Sequence, residues 1–185
     1  MMRPALLLLA TAALALAAGC GSSPPMRHYV LSAEAAPSPE PGATRVSVGP
    51  VTIPDLVDRP DLVVRAGPNR VEIAGQDRWG EPLRDAVPRV LAANLQRRLG
   101  TRFAVTEGRQ AASIRIAVDI RQFDATPGAE VILHADWSVG GDKNVQRSGQ
   151  SRWREPLAEA GYSGVAAAFS RALDRLAADI AEAIR

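Results

Sequence analysis

The sequence predicts an α+β fold in which a mainly antiparallel sheet carries two helices packed on one face. Three observations lead to this prediction. Apolar and polar residues alternate in several short runs, which is typical of strands. Two longer runs repeat their apolar residues every three or four positions, as amphipathic helices do. Along the chain, strands, a helix, a strand meander and a closing helix follow one another, and this order indicates α+β.

The first strands are short. Val46 and Val48 alternate with polar neighbours ahead of a Gly-Pro pair. The runs 62–65 and 70–74 are separated by Ala66-Gly67-Pro68-Asn69, a composition typical of a turn, so they predict a hairpin. Earlier in the chain, the apolar island at 28–31 could pair as an edge strand.

A longer strand is predicted around residues 114–120, where isoleucine and valine occupy one face. Phe123 then changes the phase of the alternation, and this slip predicts a bulge near Gln122. Residues 131–139 form a matching strand. The run 145–154 has little to bury, and we therefore expect it at a sheet edge.

The first helix is predicted from an apolar stripe that runs from Leu83 to Leu99 and ends at Gly100, a residue that favours helix C-caps. Pro82 suits a first helical position, but Pro88 would remove a hydrogen bond inside the helix. Either the helix is kinked at Pro88 or its regular part begins there.

The second helix is predicted with Ser163 as its N-cap. Its apolar face extends over residues 165–184. The opposite face is expected to be a solvated surface, and it carries Arg171, Asp174, Arg175, Asp179, Glu182 and Arg185.

Residues 1–19 are expected to be a secretory signal peptide, with Arg3 followed by an apolar run over 5–18. That run is too short for a transmembrane helix, which needs about 20 residues. The ending Leu16-Ala17-Ala18-Gly19-Cys20 resembles the lipobox of bacterial lipoproteins, in which small residues precede a cysteine that becomes acylated. The alternative is a plain secreted protein with a stray cysteine.

Cys20 is the only cysteine, so it cannot form an internal disulfide, whereas lipidation gives it a purpose. In Gram-negative lipoproteins an aspartate after the cysteine signals retention at the inner membrane. Gly21 stands there and favours the outer membrane, with the protein facing the periplasm. Residues 20–44 read as the lipidated cysteine and a flexible tether, and residues 45–185 as a single domain.

No catalytic, metal or cofactor site is expected. The chain has two histidines. His134 and Asp136 share one face of a predicted strand, but neither a third ligand nor a serine nucleophile accompanies them, so surface polar residues are favoured over a metal or catalytic pair. Basic and acidic residues number 22 and 20, without the clustered positive face that nucleic-acid binding requires.

The most distinctive residues lie between positions 46 and 100 and resemble the ABC-type transport auxiliary lipoproteins, the family that includes paraquat-inducible protein C (PqiC). The Tyr29-Val30-Leu31 island is similar to that family's first strand. The segments that carry the resemblance are Val46-Ser47-Val48-Gly49-Pro50-Val51-Thr52-Ile53-Pro54, Asp58-Arg59-Pro60, Val63, Arg65, Arg78-Trp79 and Glu81-Pro82-Leu83.

The resemblance implies a non-catalytic auxiliary subunit that docks onto the periplasmic mammalian-cell-entry (MCE) component of an ABC-type lipid transport system. Self-association is left open. A scaffold lipoprotein that supports cell-wall or lipopolysaccharide assembly is the alternative, since it could use the same anchor and fold. The candidate partner-binding residues are Asp58, Arg59, Pro60, Arg78 and Trp79. For Asp58 and Arg59 the other interpretation is a structural turn, and for Trp79 it is a core position.

Overall fold

The computed structural model describes residues 24–33, 40, 43–108, 111–141 and 145–185. The predicted signal peptide and Cys20 lie outside these residues. Within them the chain forms β1 (Arg27–Tyr29), β2 (Thr44–Thr52), β3 (Asp61–Gly67), β4 (Arg70–Trp79), α1 (Leu83–Leu99), β5 (Phe103–Glu107), β6 (Ile114–Thr126), β7 (Glu130–Gly140), β8 (Val145–Pro156) and α2 (Gly161–Ile184).

The strands form two sheets, which confirms the α+β class but replaces the one predicted sheet. A five-stranded sheet has the order β5-β2-β6-β7-β8 and a three-stranded sheet the order β1-β4-β3. Both sheets are mixed, because β2 runs parallel to β5 and β6, and β1 runs parallel to β4. The helix α1 provides the crossover that brings β5 alongside β2 in the parallel sense. The hairpin β3–β4 and the meander β6–β7–β8 are antiparallel.

The two helices contact each other, and they cover one face of the larger sheet. The helix α1 packs on β2 and β5, and α2 packs on β7 and β8. Buried side chains from both helices and both sheets form one apolar core, in which the largest fully buried members include Leu62, Leu91, Ile116, Leu133 and Leu173. At about 25 cal/mol per Å² of buried apolar surface, such a core is the main stabilising contribution.

Several predicted details are confirmed. The hairpin turns at Pro68 and Asn69, between the end of β3 and the start of β4. The pairing of β6 with β7 shifts register between Ile120 and Gln122, where the phase change in the sequence indicated a bulge. The polar strand β8 lies at an edge of the five-stranded sheet, and β1 lies at an edge of the small one.

The helix boundaries correct two expectations. The helix α1 begins at Leu83, so Pro88 lies inside it and the alternative of a regular start at Pro88 is wrong. Ser163 is not the N-cap of α2, because the helix begins two residues earlier, at Gly161. The Ser163 hydroxyl instead hydrogen-bonds the Glu159 carboxylate at 3.4 Å, on the first turn.

The charged face of α2 is not a simple solvated surface. Arg171 and Arg175 pair with Glu155 of β8, a carboxylate that is 5 % exposed. One oxygen of Asp179 accepts hydrogen bonds from Ser151 and from the indole of Trp153, at 2.5 and 2.9 Å. These contacts fix α2 to the edge strand, because a buried carboxylate needs charged or hydrogen-bonding partners.

A buried carboxylate also fixes β1 to β4. Asp77 is 4 % exposed and accepts two hydrogen bonds from the Arg27 guanidinium, at 2.7 and 2.8 Å, and one from the Tyr29 hydroxyl at 2.8 Å. The bonds from Arg27 hold the pKa of Asp77 below its usual range, although burial acts in the opposite direction. Burial raises the pKa of Tyr29 and of Tyr162, whose rings lie 6.2 Å apart. We call Arg27, Tyr29 and Asp77 the β1 clamp.

Candidate docking site around Arg59

Two loops meet on one side of the small sheet and enclose a pocket of about 230 Å³. One loop joins β2 to β3, and the other joins β4 to α1. The pocket, called the Arg59 pocket below, is lined by Asp58, Arg59, Pro60, Trp79, Gly80, Glu81, Pro82 and Arg84. Four of the five candidate residues, all but Arg78, therefore share one cavity.

Backbone hydrogen bonds hold both loops in place. The amides of Val57 and Asp58 donate to the carbonyl oxygen of Pro54, at 3.0 and 3.2 Å, and so close a turn ahead of Arg59. The amide of Trp79 donates to the carbonyl oxygen of Pro60 at 2.7 Å. Because Pro60 also has a fixed backbone φ, the loop presents its side chains from a rigid base.

The charges around the pocket are unequally paired. Asp58 faces Arg84, with 3.5 Å between the carboxylate and guanidinium atoms, and Glu81 accepts a hydrogen bond from Arg89. Arg59 is exposed, and among the described residues its guanidinium has neither an ion pair nor a hydrogen bond. Both carboxylates of the pocket are therefore engaged with other arginines, and Arg59 is left as an unpaired cation.

Trp79 forms the apolar base of the pocket. Its side chain is 8 % exposed and belongs to the main core, where its ring centroid lies 6.3 Å from that of Phe169 in α2. Trp79 is thus a buried core residue, as one of the two interpretations expected. The residue also lines the Arg59 pocket.

Arg78 has a different position. Its Nε atom donates to Asp61 Oδ1 at 2.8 Å, across the pairing of β4 with the first residue of β3. The pair fixes the start of β3, directly after Pro60. Arg78 therefore supports the loop from outside and does not line the pocket.

Exposed apolar side chains border the same surface. Among the described residues, four large apolar side chains are exposed, and two of them are near the pocket in space or in sequence: Val30 at 58 %, which contacts Gly80, and Leu56 at 45 %, two residues before Asp58. Leu56 lies in the β2–β3 loop, and Val30 contacts Gly80 so closely that a Cβ there would lie 3.0 Å from its Cγ1 atom.

Sequence reasoning did not select Gly80, Glu81, Pro82 and Arg84 as site residues. Glu81 and Pro82 belong to a segment that carries the family resemblance, but their contact with residues 58–60 depends on the β3–β4 pairing and has no signal in the sequence. Val30 and Leu56 were also missed. Each lies beside a buried apolar residue in the sequence, Leu31 or Val57, and only the fold shows that Val30 and Leu56 are the exposed members.

His134 and Asp136 lie on the helix-free face of the five-stranded sheet. The Asp136 carboxylate accepts a hydrogen bond from Gln150 at 2.8 Å and forms an ion pair with Arg121 at 3.2 Å. His134 lies opposite Gln122 and Arg152 in the neighbouring strands. In the part of the chain that the structure describes, no group of three His, Cys, Asp or Glu side chains could hold a metal ion. None of the helices described is long and apolar enough to span a membrane.

Known structures share this architecture. A crystal structure of an uncharacterized protein superimposes with a TM-score of 0.75 and 18 % identity, covering 88 % of this chain and all of the other. Protein XCC0632 from Xanthomonas campestris superimposes with a TM-score of 0.64 and 18 % identity, covering 83 % of this chain and 91 % of its own. No curated protein matches the sequence. These likenesses support the fold alone.

The sequence itself matches one protein family. The family of the ABC-type transport auxiliary lipoprotein component matches residues 29–181. The match begins at the last residue of β1 and ends in the last turn of α2, and it includes every residue of the Arg59 pocket. The chain therefore belongs to the ABC-type transport auxiliary lipoprotein family.

Proposed function

We propose that the protein is a lipoprotein of the outer membrane, anchored through Cys20, and serves as the non-catalytic docking subunit of an ABC-type lipid transport system. It binds the periplasmic MCE-domain component through the surface around Arg59. Membership of the auxiliary lipoprotein family supports a role beside a transporter. The MCE partner and the outer-membrane position are part of the proposal.

The unpaired guanidinium of Arg59 is the observation that carries this proposal. Arginine is enriched among the residues that dominate binding energy at protein interfaces. Here it is held on a loop fixed by backbone hydrogen bonds and lines the same pocket as the buried Trp79. The turn ahead of Arg59 is closed by backbone hydrogen bonds, so a purely structural turn does not require an exposed cation without a partner.

Crosslinking and co-purification from membranes test the proposal. Full-length protein with Arg59→Ala should recover the MCE component with an affinity reduced about thirtyfold or more, since an interface hot spot contributes roughly 2 kcal/mol or more. Arg152→Ala is the matched control, because Arg152 is also exposed, lies on β8 away from the pocket and has no ion pair among the described residues. It should bind like the wild type.

Two results would contradict the docking role. In the first, Arg59→Ala and Arg152→Ala recover the MCE component equally well. In the second, the wild-type protein crosslinks to a cell-wall or lipopolysaccharide assembly protein and not to an MCE component, which would favour the scaffold alternative.

A further inference from the structure

The Arg59 pocket has the size of a receptor for one side chain. Its volume of about 230 Å³ exceeds that of a cavity of about 150 Å³ that admits benzene. It is smaller than the roughly 300 to 1,000 Å³ of pockets that enclose a whole small-molecule ligand. A leucine or phenylalanine side chain matches this range, whereas a complete lipid does not.

The pocket lining is partly apolar. Trp79 at the end of β4 and two prolines in the bordering loops, Pro60 and Pro82, contribute rings, beside the charged residues Asp58, Arg59, Glu81 and Arg84. Proline and tryptophan rings have little conformational freedom to lose, so binding against them costs less entropy than binding against flexible side chains. Outside the pocket, the exposed side chain of Val30 contacts Gly80.

The charges around the pocket favour a ligand that also carries a carboxylate. Asp58 and Glu81 are engaged by Arg84 and Arg89, so they offer no free carboxylate to a cationic ligand. Arg59 offers a planar set of donors that fits a carboxylate with two hydrogen bonds. Complementary charge at the rim therefore favours a ligand that carries a carboxylate beside its apolar group.

We infer that the Arg59 pocket binds an extended protein segment that inserts one leucine- or phenylalanine-sized side chain over Trp79 and pairs an adjacent carboxylate with Arg59. This inference rests on the proposed docking function and names the chemistry of the partner segment. The carboxylate is that of a neighbouring Asp or Glu or of a chain terminus.

Small probes test the inference directly. The full-length protein, purified in detergent, is titrated with N-acetyl-L-phenylalanine and with its uncharged amide, while the indole N–H signal of Trp79 is followed by NMR. The carboxylate should bind in the millimolar range and about tenfold more tightly than the amide, because charge-assisted hydrogen bonds exceed neutral ones. Arg59→Gln should remove this preference, Arg59→Lys should retain part of it, and Arg152→Gln should leave it unchanged.

Equal binding of the two probes, or a Trp79 signal that moves with neither of them, would overturn the inference. So would anionic phospholipid vesicles that shift Trp79 with the same dependence on Arg59 while the acetylated amino acid has no effect. The docking role is tested separately by the MCE pull-down. If Arg59→Ala weakens MCE binding but the wild-type protein does not bind the probe, only the pocket inference is refuted. If the wild-type protein binds the probe but Arg59→Ala does not change MCE recovery, only the docking role is refuted.

Discussion

The backbone amide of Trp79 and the carbonyl oxygen of Pro60 form a hydrogen bond of 2.7 Å. This bond connects the end of β4, where Trp79 is part of the core, to the loop that carries Arg59. The loop is therefore positioned by the core itself. Changes at Trp79 should disturb the loop, whereas changes at Arg59 should leave the core intact.

This relationship predicts different effects on the free energy of unfolding for substitutions at the two residues. Arg59→Ala removes an exposed side chain and should change the free energy of unfolding by no more than about 0.5 kcal/mol. Trp79→Ala removes a core side chain packed near Phe169 and should cost about 3 to 5 kcal/mol. Denaturant melts of both variants measure the difference. Comparable destabilisation by the two substitutions would assign Arg59 to the scaffold.

Cys20 is predicted to be the membrane anchor. Replacing it with alanine should abolish incorporation of labelled palmitate and move the protein from the outer-membrane to the soluble periplasmic fraction. Two or three acyl chains give stable anchoring at about 0.8 kcal/mol per buried CH₂, whereas the variant has none. A Cys20→Ala protein that still labels and sediments with the outer membrane would contradict the lipoprotein assignment.

The β1 clamp predicts a specific loss of stability in acid. The pKa of Asp77 is lowered in the folded protein, so its contribution is complete above the unfolded value of about 3.9 and is lost as the pH falls through the folded value. Asp77→Asn should cost about 1 to 2 kcal/mol at pH 6, and the difference from wild type should shrink below about pH 4. Asp55→Asn, at an exposed loop position, should have the same stability as the wild type at both pH values. If the stability difference between Asp77→Asn and the wild type does not change with pH, the β1 clamp does not depend on an ionised Asp77.

Gly149 in β8 is predicted to be essential for the packing of Trp137. A Cβ atom at position 149 would lie 2.4 Å from Cζ2 of the indole, so the indole or one of the two strands must shift. Gly149→Ala should destabilise the protein by about 1 to 3 kcal/mol, as other overpacking changes do. Gly75→Ala in β4 is the control, since its Cβ would meet nothing within 4 Å. Equal melting temperatures for the two variants would refute this packing argument.

A chain that begins at Arg45 is predicted to be less stable than one that begins at Pro24. The shorter chain lacks β1 and Leu31, which is 2 % exposed in the core, and it leaves Asp77 without Arg27 and Tyr29. Loss of one buried leucine alone costs about 2 to 5 kcal/mol. Thermal melts of the two chains measure this contribution. Equal midpoints would show that residues 45–185 are self-sufficient.

The sequence predicted those parts of the fold that depend on local periodicity. Both helices follow from apolar residues that repeat every three or four positions. The β3–β4 hairpin follows from turn composition, and the bulge near Gln122 follows from a change in the alternation of apolar residues. The strand β5 was missed, because it is short and its stability depends on a distant side chain. Gln96 in α1 donates to the carbonyl oxygen of Phe103 at 2.8 Å and accepts from the amide of Val105 at 2.8 Å. No local pattern encodes such a contact.

The candidate site was predictable to a similar extent. Asp58, Arg59, Pro60 and Trp79 were selected from motifs, and the fold brings them to one pocket. The sequence could not indicate which charge is free, because the pairs of Asp58 with Arg84 and Glu81 with Arg89 arise only after the loops and α1 have assembled. Arg78 was grouped with Trp79 because the two are adjacent, but alternate residues of a strand face opposite ways.

The β1 clamp also sets how far the protein can extend from the membrane. The sequence suggested a tether as far as residue 44, but β1 fixes the chain to the small sheet at Arg27. Only the six residues 21–26 then separate an acylated Cys20 from the folded part, a span of at most about 25 Å even when fully stretched. The small sheet would stay close to the bilayer that holds the anchor. If that bilayer is the outer membrane, as proposed, a partner from the inner membrane would have to cross most of the periplasm to reach it.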